Sequence, residues 1–244
     1  MIKNGLDAVR EKIASEKSKY DAVSEKYDWL CAAEKEVQAV LDFAQRYRDA
    51  ARERGFYEIA DTLENIPRKG AKTFREALQF FRILHFALWC EGEYHVIIGR
   101  FDKFMFPYLE EDMREGRLDE ETAFELLLDF FLSFNKDSDL YPGMQQGDNG
   151  QSIMLGGLES DGTDSYNFLS GLCLKASLEL KVIDPKINLR VSRTTPAERF
   201  EFASKLTATG IGFPQYANDD VVIPGLMKLG YGREDAYNYV VAAC

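Results

Sequence analysis

The stretch that most restricts the fold runs from Thr73 to about Trp89. It reads as a helix, yet Leu78, Phe80, Phe81, Ile83, Leu84, Phe86 and Leu88 carry apolar side chains around nearly its whole circumference. A helix apolar on every side needs cover on every side, so this one is expected inside a larger body. Thr73 followed three residues later by Glu76 is a capping-box start. The break Asn65-Ile66-Pro67-Arg68-Lys69-Gly70 precedes it.

The rest of the chain punctuates in a similar way. Residues 6–54 read as long helices, with Tyr20, Val23, Tyr27, Leu30 and Cys31 at three- and four-residue steps. Val37, Val40, Leu41, Phe43 and Ala44 continue that stripe until Gly55 interrupts it. A second strongly apolar helix spans 119–134, capped by Asp119. From 135 to 165 Gly, Asp, Asn and Ser dominate, but Ser152-Ile153-Met154-Leu155 is expected as a short buried strand. Residues 187–191 alternate, with Ile187, Leu189 and Val191 on one face and Asn188 and Arg190 on the other. A helix begins at Thr195-Pro196-Ala197-Glu198 with Pro at its first position. Asn218 caps another that ends near Leu229 and Gly230. Each short strand is followed by a helix, so the class is helix-rich α/β.

Composition removes several functions. With 244 residues and 45% apolar content the chain can bury a sizeable core. No apolar run reaches the roughly 18 residues of a membrane span, and the charged start is not a signal peptide. Residues 1–80 hold fifteen Lys/Arg and fifteen Asp/Glu, so the whole net charge of −11 belongs to 81–244. Such a surface favours solubility and does not attract nucleic acid or an anionic membrane. The four cysteines, Cys31, Cys90, Cys173 and Cys244, have neither the spacing of a zinc site nor that of a disulfide framework. Reduced thiols and a cytoplasmic location are expected. Cys244 follows the apolar run Tyr239-Val240-Val241-Ala242-Ala243 as the last residue, and the chain reads as cut rather than finished.

Local chemistry is sparse. No Gly-x-Ser-x-Gly elbow accompanies the two histidines. His85 reads as a satisfied core residue, whereas His95, in Glu91-Gly92-Glu93-Tyr94-His95-Val96, fits either a structural hydrogen bond or the lining of a polar pocket. Gly210-x-Gly212 is too short for a dinucleotide fingerprint. Asn218-Asp219-Asp220 is explained by helix capping with acids in the first turn, ahead of cation binding. Glu110-Glu111 reads as a solvated face.

Three stretches in series resemble the glycyl radical enzyme superfamily, the pyruvate formate-lyase and glycerol/diol dehydratase relatives. The first runs from Thr73-Phe74-Arg75-Glu76-Ala77-Leu78-Gln79-Phe80-Phe81 to Gly99-Arg100-Phe101-Asp102 and on to Pro107-Tyr108. The second is Gly150-Gln151-Ser152-Ile153-Met154-Leu155-Gly156-Gly157 with Asp161-Gly162-Thr163-Asp164. The third joins Pro185-Lys186-Ile187-Asn188-Leu189-Arg190-Val191 to Gly210-Ile211-Gly212-Phe213-Pro214-Gln215-Tyr216-Ala217-Asn218-Asp219-Asp220, and continues through Gly230-Tyr231 and Asp235-Ala236 to Cys244.

The resemblance implies a barrel of two half-sheets, each of five parallel strands, wrapped in helices and with the catalytic Cys on a central loop. It implies half of that ten-stranded barrel here, with a helical region at 1–72 and a partial barrel domain at 73–244 that ends at the Cys loop. It places Cys244 at the thiyl position. Tyr94, His95, Gln151 and Ser152 then fall in pocket-lining segments, and Phe213 to Asn218 in the strand and loop beside the Cys. The implied activity is hydrogen abstraction from a small polar substrate, followed by C–C, C–O or C–N cleavage. No cofactor is expected on this chain. The parent's glycyl radical is installed by a radical-SAM iron-sulfur activase, which, with the rest of a homodimeric enzyme, is the implied partner.

The sequence departs from the family pattern. Ala243 stands where the family carries Gly before the Cys, and no Arg-Val-x-Gly-Tyr glycyl loop occurs: Arg190-Val191-Ser192 is followed by Arg193. The isolated chain is therefore expected to be inactive. Two other readings remain: a degenerate member acting as a non-catalytic scaffold or subunit, and an unrelated helical interaction domain based on residues 6–54.

Overall fold

The computed structural model describes residues 1–92, 96–136 and 150–241. Its contacts divide the chain into two compact units, Met1–Glu91 and Gly92–Cys244.

The first unit is helical: α1 (Gly5–Lys17), α2 (Glu25–Glu53), α3 (Tyr57–Asn65) and α4 (Phe74–Cys90). Leu6, Leu41, Ala44, Leu63, Ile66, Phe80 and Ile83 form its core. The expected stripe breaks at residues 18–24. Asp21 turns the chain by accepting the Val23 N–H, and the Ser24 hydroxyl caps α2 by accepting from Tyr27. Tyr20 and Val23 are consequently exposed, not part of the core.

The helix expected to be covered all round is α4, and its buried residues reach round most of the circumference, with exposure at its C-terminal end. Phe74, Ala77, Leu78, Phe80, Ile83 and His85 are buried, while Leu88 is 50% exposed. The cap is also half of the expected box. Thr73 Oγ1 accepts the Glu76 N–H, but the Glu76 carboxylate takes the N–H of Lys72 and the amide of Asn65. Because α4 packs back onto α2, the Asn65–Gly70 break is a turn within the first unit, and the expected boundary at 72/73 lies inside that unit.

The second unit contains β1 (Gly99–Arg100), α5 (Phe101–Arg114), α6 (Glu120–Ser133), β2 (Ser152–Gly156), α7 (Phe168–Leu180), β3 (Lys186–Val191), α8 (Ala197–Thr207), β4 (Gln215–Asn218), α9 (Asp219–Lys228) and α10 (Arg233–Tyr237). The strands form one parallel sheet in the order β1-β2-β3-β4, with helices in each crossover. This is the expected helix-rich α/β arrangement. Among the described residues the sheet has four strands, where the resemblance implies five. Strands alternating with helices over 150–220 remove the reading as an unrelated helical domain.

Alternation assigns the two faces of the sheet. Ile153 and Leu155 align with Ile187 and Leu189, making one apolar face, which Val191 extends. Arg100, Ser152 and Met154 share the other face with Lys186, Asn188 and Arg190. α5 packs on β2, and α7 packs on α5, α6 and α8. Within these helices Phe101 stacks on Phe130 at 5.3 Å, and Phe130 meets Phe134 edge-on at 4.8 Å. The half-barrel reading predicts an exposed edge and an exposed inner face. β4 does form an open edge, with Gln215 and Tyr216 exposed, but β2 and β3 are buried on both faces. One smaller difference is local: Pro196 sits at the N-cap of α8, one position before its expected place, while Asp119 caps α6 as expected.

Phe130 anchors the aromatic cluster, so Phe130→Ala should cost about 3–5 kcal/mol. Urea denaturation followed by circular dichroism measures that loss.

Candidate functional site

The C-terminal ends of the parallel strands gather four of the second unit's buried charges, Arg100, Asp102, Arg190 and Asp219. Arg190, near the end of β3, and Asp219, the first residue of α9, are both fully buried. They form a two-point ion pair, Nε to Oδ1 at 2.8 Å and Nη2 to Oδ2 at 3.0 Å. Arg190 also donates to the carbonyls of Tyr237 (2.8 Å) and Leu158 (3.2 Å). Asp219 also accepts from the Leu158 N–H and from the Tyr239 hydroxyl, each at 2.7 Å. The Tyr239 ring lies 4.2 Å from the guanidinium. Burial and the hydrogen bond to Asp219 push the Tyr239 phenol well above its usual range, so it stays a donor. One ion pair thus ties β3 to three other segments: the loop after β2, the start of α9 and residues 237–239.

That close packing dictates a glycine. A Cβ on Gly157 would sit 2.2 Å from Arg190 Nε, and its φ of +101° is one that L side chains rarely adopt.

A second cluster surrounds Arg100, which donates to Glu159 and to Ser165 Oγ at 2.7 Å and to Asn238 Oδ1 at 3.2 Å. Lys103 holds the other Glu159 oxygen at 2.6 Å. Burial raises the Glu159 carboxyl, but Lys103 and Arg100 outweigh it and hold the group below its ordinary range. A cavity of about 560 Å³ opens here, lined in part by Arg100, Lys103, Glu159, Asp235 and Tyr237. Next to it Asp102 is fully buried and accepts from the Gly156 N–H and the Ser170 hydroxyl, both at 2.6 Å. Burial pushes its carboxyl up despite those bonds. Burial, reinforced by Asp102, raises the Cys173 thiol well above its ordinary value, which leaves that cysteine protonated and inert.

The residues singled out from sequence fall in different places. Gln151 and Ser152 stand at the start of β2, each about 1% exposed. Gln151 Nε2 donates to the Phe134 carbonyl, while Gln151 Oε1 and Ser152 Oγ have no hydrogen-bond partner among the described residues. Phe213 is buried and precedes a cis proline. Asn218 is exposed, and its side-chain oxygen accepts the Asp220 N–H, the capping role read from sequence. Gln151 and Ser152 are adjacent at the strand's beginning, whereas Asn218 closes β4 at the opposite end of the sheet. Tyr94, His95 and Cys244 lie outside the described residues. His85 is buried beside Arg82, as a core residue should be. Among the described residues no cluster of metal-ligating side chains occurs. No helix among them is long and apolar enough to cross a membrane.

Sequence reasoning missed Arg190 and Asp219 as a pair. The one local signal was an Arg on the non-aliphatic face of an otherwise hydrophobic strand; its partner stands 29 residues later.

The family model described as pyruvate formate lyase-like matches residues 1–244, and the chain belongs to that family. A trans-4-hydroxy-L-proline dehydratase from Clostridioides difficile is 27% identical over 82% of this chain and 26% of its own length. A structure from Roseburia inulinivorans, solved in work on 1,2-propanediol dehydration, is 30% identical with a TM-score of 0.91, covering all of this chain and 33% of that one. A glycyl radical enzyme from Archaeoglobus fulgidus shares the fold with a TM-score of 0.92 at 23% identity, over 99% of this chain and 34% of its own. These matches agree with the motif resemblance. The chain spans about a quarter to a third of the length of the proteins it matches.

The Arg190 packing gives a paired test. Gly157→Ala should destabilise the protein by about 1–3 kcal/mol through overpacking alone, with backbone strain added. Gly162→Ala, also at positive φ but in open space, carries only the backbone strain of about 1–2 kcal/mol. Equal shifts of the denaturation midpoint would contradict the close approach.

Proposed function

We propose that this chain is the segment of a glycyl radical dehydratase or lyase that supplies the thiyl cysteine, Cys244, and part of the substrate chamber. The observation that carries the reading is the buried polar face of the sheet. On it Ser152 Oγ is about 1% exposed and without a partner among the described residues; Gln151 Oε1, equally buried and unpartnered there, lies one residue earlier and so on the opposite face. Buried polar groups ordinarily find partners, and a small hydroxylated substrate would supply them. Tyr94, His95 and Phe213 are proposed to complete the lining, and Asn218, at the opposite end of the sheet, to border the chamber there.

The chemistry assigned to Cys244 is atom transfer. The sulfur radical and a substrate C–H bond become an S–H bond and a carbon radical. For a vicinal diol the neighbouring C–O bond then breaks. Hydroxide leaves as water with the proton from the hydroxyl on the radical carbon, and the product radical takes its hydrogen back from sulfur. C–C or C–N cleavage follows the same first and last steps. The glycyl radical, installed elsewhere in the enzyme by a radical-SAM iron-sulfur activase, supplies the unpaired electron. The residues of this segment hold the substrate hydroxyls and keep water and oxygen away from the sulfur. The parent enzyme is proposed as a cytoplasmic homodimer working without oxygen. Ala243, where the family has Gly, favours the second reading, a non-catalytic scaffold.

Two measurements decide between them. The 244-residue chain, incubated anaerobically with a glycyl radical activase and S-adenosylmethionine, should show no glycyl doublet in EPR; a doublet would refute its proposed lack of a radical site. In a polypeptide joining residues 1–244 to the remainder of a glycyl radical dehydratase, Cys244→Ser should abolish turnover and leave the glycyl signal intact. Retained turnover removes the cysteine from its role, and an inactive wild-type chimera with a normal radical supports the scaffold.

Ser152→Ala tests the polar face. Its hydroxyl has no partner to lose among the described residues, so folding stability should stay level or rise. KM in the chimera should rise about fivefold, equivalent to one hydrogen bond of about 1 kcal/mol.

A further inference from the structure

α10 has five residues, and no helix or strand follows it among the described residues. A segment in that position ordinarily frays unless it is tied down. Burial alone does not hold it: Tyr237 and Tyr239 are partly buried, Asn238 is exposed and Val240 is 39% exposed. It is nevertheless gripped at three consecutive residues, each from a different element. Arg190, on β3, donates to the Tyr237 carbonyl at 2.8 Å. Arg100, on β1, donates to Asn238 Oδ1 at 3.2 Å. The Tyr239 hydroxyl donates to Asp219 Oδ1, at the start of α9, at 2.7 Å. α10 itself is tied down by Arg233, which donates to the Ser160 carbonyl at 2.7 and 3.1 Å.

Tyr239 is the last of these grips. Val240-Val241-Ala242-Ala243 follow it, so no side chain between Tyr239 and Cys244 can form a hydrogen bond. Five extended residues span at most about 18 Å, and the place of Tyr239 therefore limits where the cysteine can reach. Its orientation is set twice, by the hydroxyl on Asp219 and by the ring 4.2 Å from the Arg190 guanidinium. Both anchors are stationary, since Arg190 and Asp219 are fully buried and paired with each other. The pair does not need the phenol in return. Asp219 keeps two bonds from Arg190 and one from the Leu158 N–H without it.

We propose that Tyr239 is a positioning residue for Cys244: its side chain, bonded to Asp219 and stacked on Arg190, fixes the point from which residues 240–244 depart towards the substrate. This role rests on the function proposed above for Cys244. Hydrogen transfer between sulfur and carbon requires the two atoms in near contact, and misplacement by about 1 Å can cost about 100-fold in rate. A reacting group on a segment with little burial of its own gains that precision from supports on rigid elements, and β3 and α9 provide them through one phenol.

Two measurements test it. In the 244-residue chain, backbone nitrogen-15 relaxation should give order parameters of about 0.85 at Tyr239 and Val240, falling below about 0.6 in Tyr239→Ala. Tyr239→Phe, which keeps the ring on the guanidinium, should fall between. In the chimera with the remainder of a glycyl radical dehydratase, Tyr239→Ala should lower kcat about tenfold or more, with KM within about twofold and the glycyl doublet unchanged. Tyr239→Phe should restore part of the rate. Ala203→Gly, which weakens α8 elsewhere in the second unit, should leave kcat unaltered. Low order at Tyr239 in the wild type overturns the proposal, as does full kcat in Tyr239→Ala or an equal loss in Ala203→Gly. If Cys244→Ser is inactive while Tyr239→Ala is fully active, only the positioning role is lost. Turnover in Cys244→Ser, or none in the unaltered chimera, overturns the proposed function and this role with it.

Discussion

The buried pair of Arg190 and Asp219 is the constraint on which the sheet's C-terminal end depends. Removing both charges from water costs several kcal/mol per ion, and attraction between them compensates only when the remaining donors and acceptors are also used. Here they are. The aspartate accepts four hydrogen bonds, two from the guanidinium, one from a backbone N–H and one from a phenol. The arginine spends its further donors on two carbonyls. These secondary partners belong to segments remote in sequence, so satisfying the pair and assembling the sheet end are one event. The packing around Gly157 follows from this, because the guanidinium occupies the space a side chain would need. So does the placement of Tyr237 and Tyr239, a few residues before Cys244 in sequence.

What could be read in advance was whatever a single segment decides for itself. Period-two alternation located β3, and a run of apolar residues between glycines located β2. Asp119 and Asn218 gave themselves away as caps because the cap bond closes within three residues. Errors arose where distant partners intervene. The apolar circumference of α4 implied complete cover, yet Leu88 remains half in water, since apolar exposure of single residues costs little. The stripe through Tyr20 and Val23 kept its spacing across a turn that Asp21 and Ser24 impose. Asn218-Asp219-Asp220 was correctly explained as a helix start, and that local sufficiency hid the longer-range task of Asp219.

The candidate site was legible to a different degree. Gln151 and Ser152 were singled out through resemblance alone, and their atoms without partners are a physical observation that no pattern of hydrophobicity encodes. Asn218, chosen on the same grounds, has its side-chain oxygen occupied in capping α9. Its proposed place in the chamber rests on the amide nitrogen, whereas Gln151 and Ser152 each offer an uncommitted oxygen. Membership of the family does not rank these three residues; their hydrogen bonds do.

Arginine serves opposite ends in the two units, and burial decides which. Arg100 and Arg190 are at most 5% exposed and are bound to acids, since an unpaired buried cation would be prohibitively costly. Arg46 and Arg54 stand in water, where a lone guanidinium bears no such penalty, and so nothing within the fold compels a partner. The second unit carries the whole net charge of −11 while its buried arginines are neutralised in place. Its acidity is consequently a property of the surface, not of the interior. In the first unit the balance of charge is even, and Arg46 and Arg54 are exposed residues of the α2 surface and its C-cap. Stability explains the first pair of arginines, because deleting either would strand a charge. The second pair needs no such account, because water solvates an exposed guanidinium.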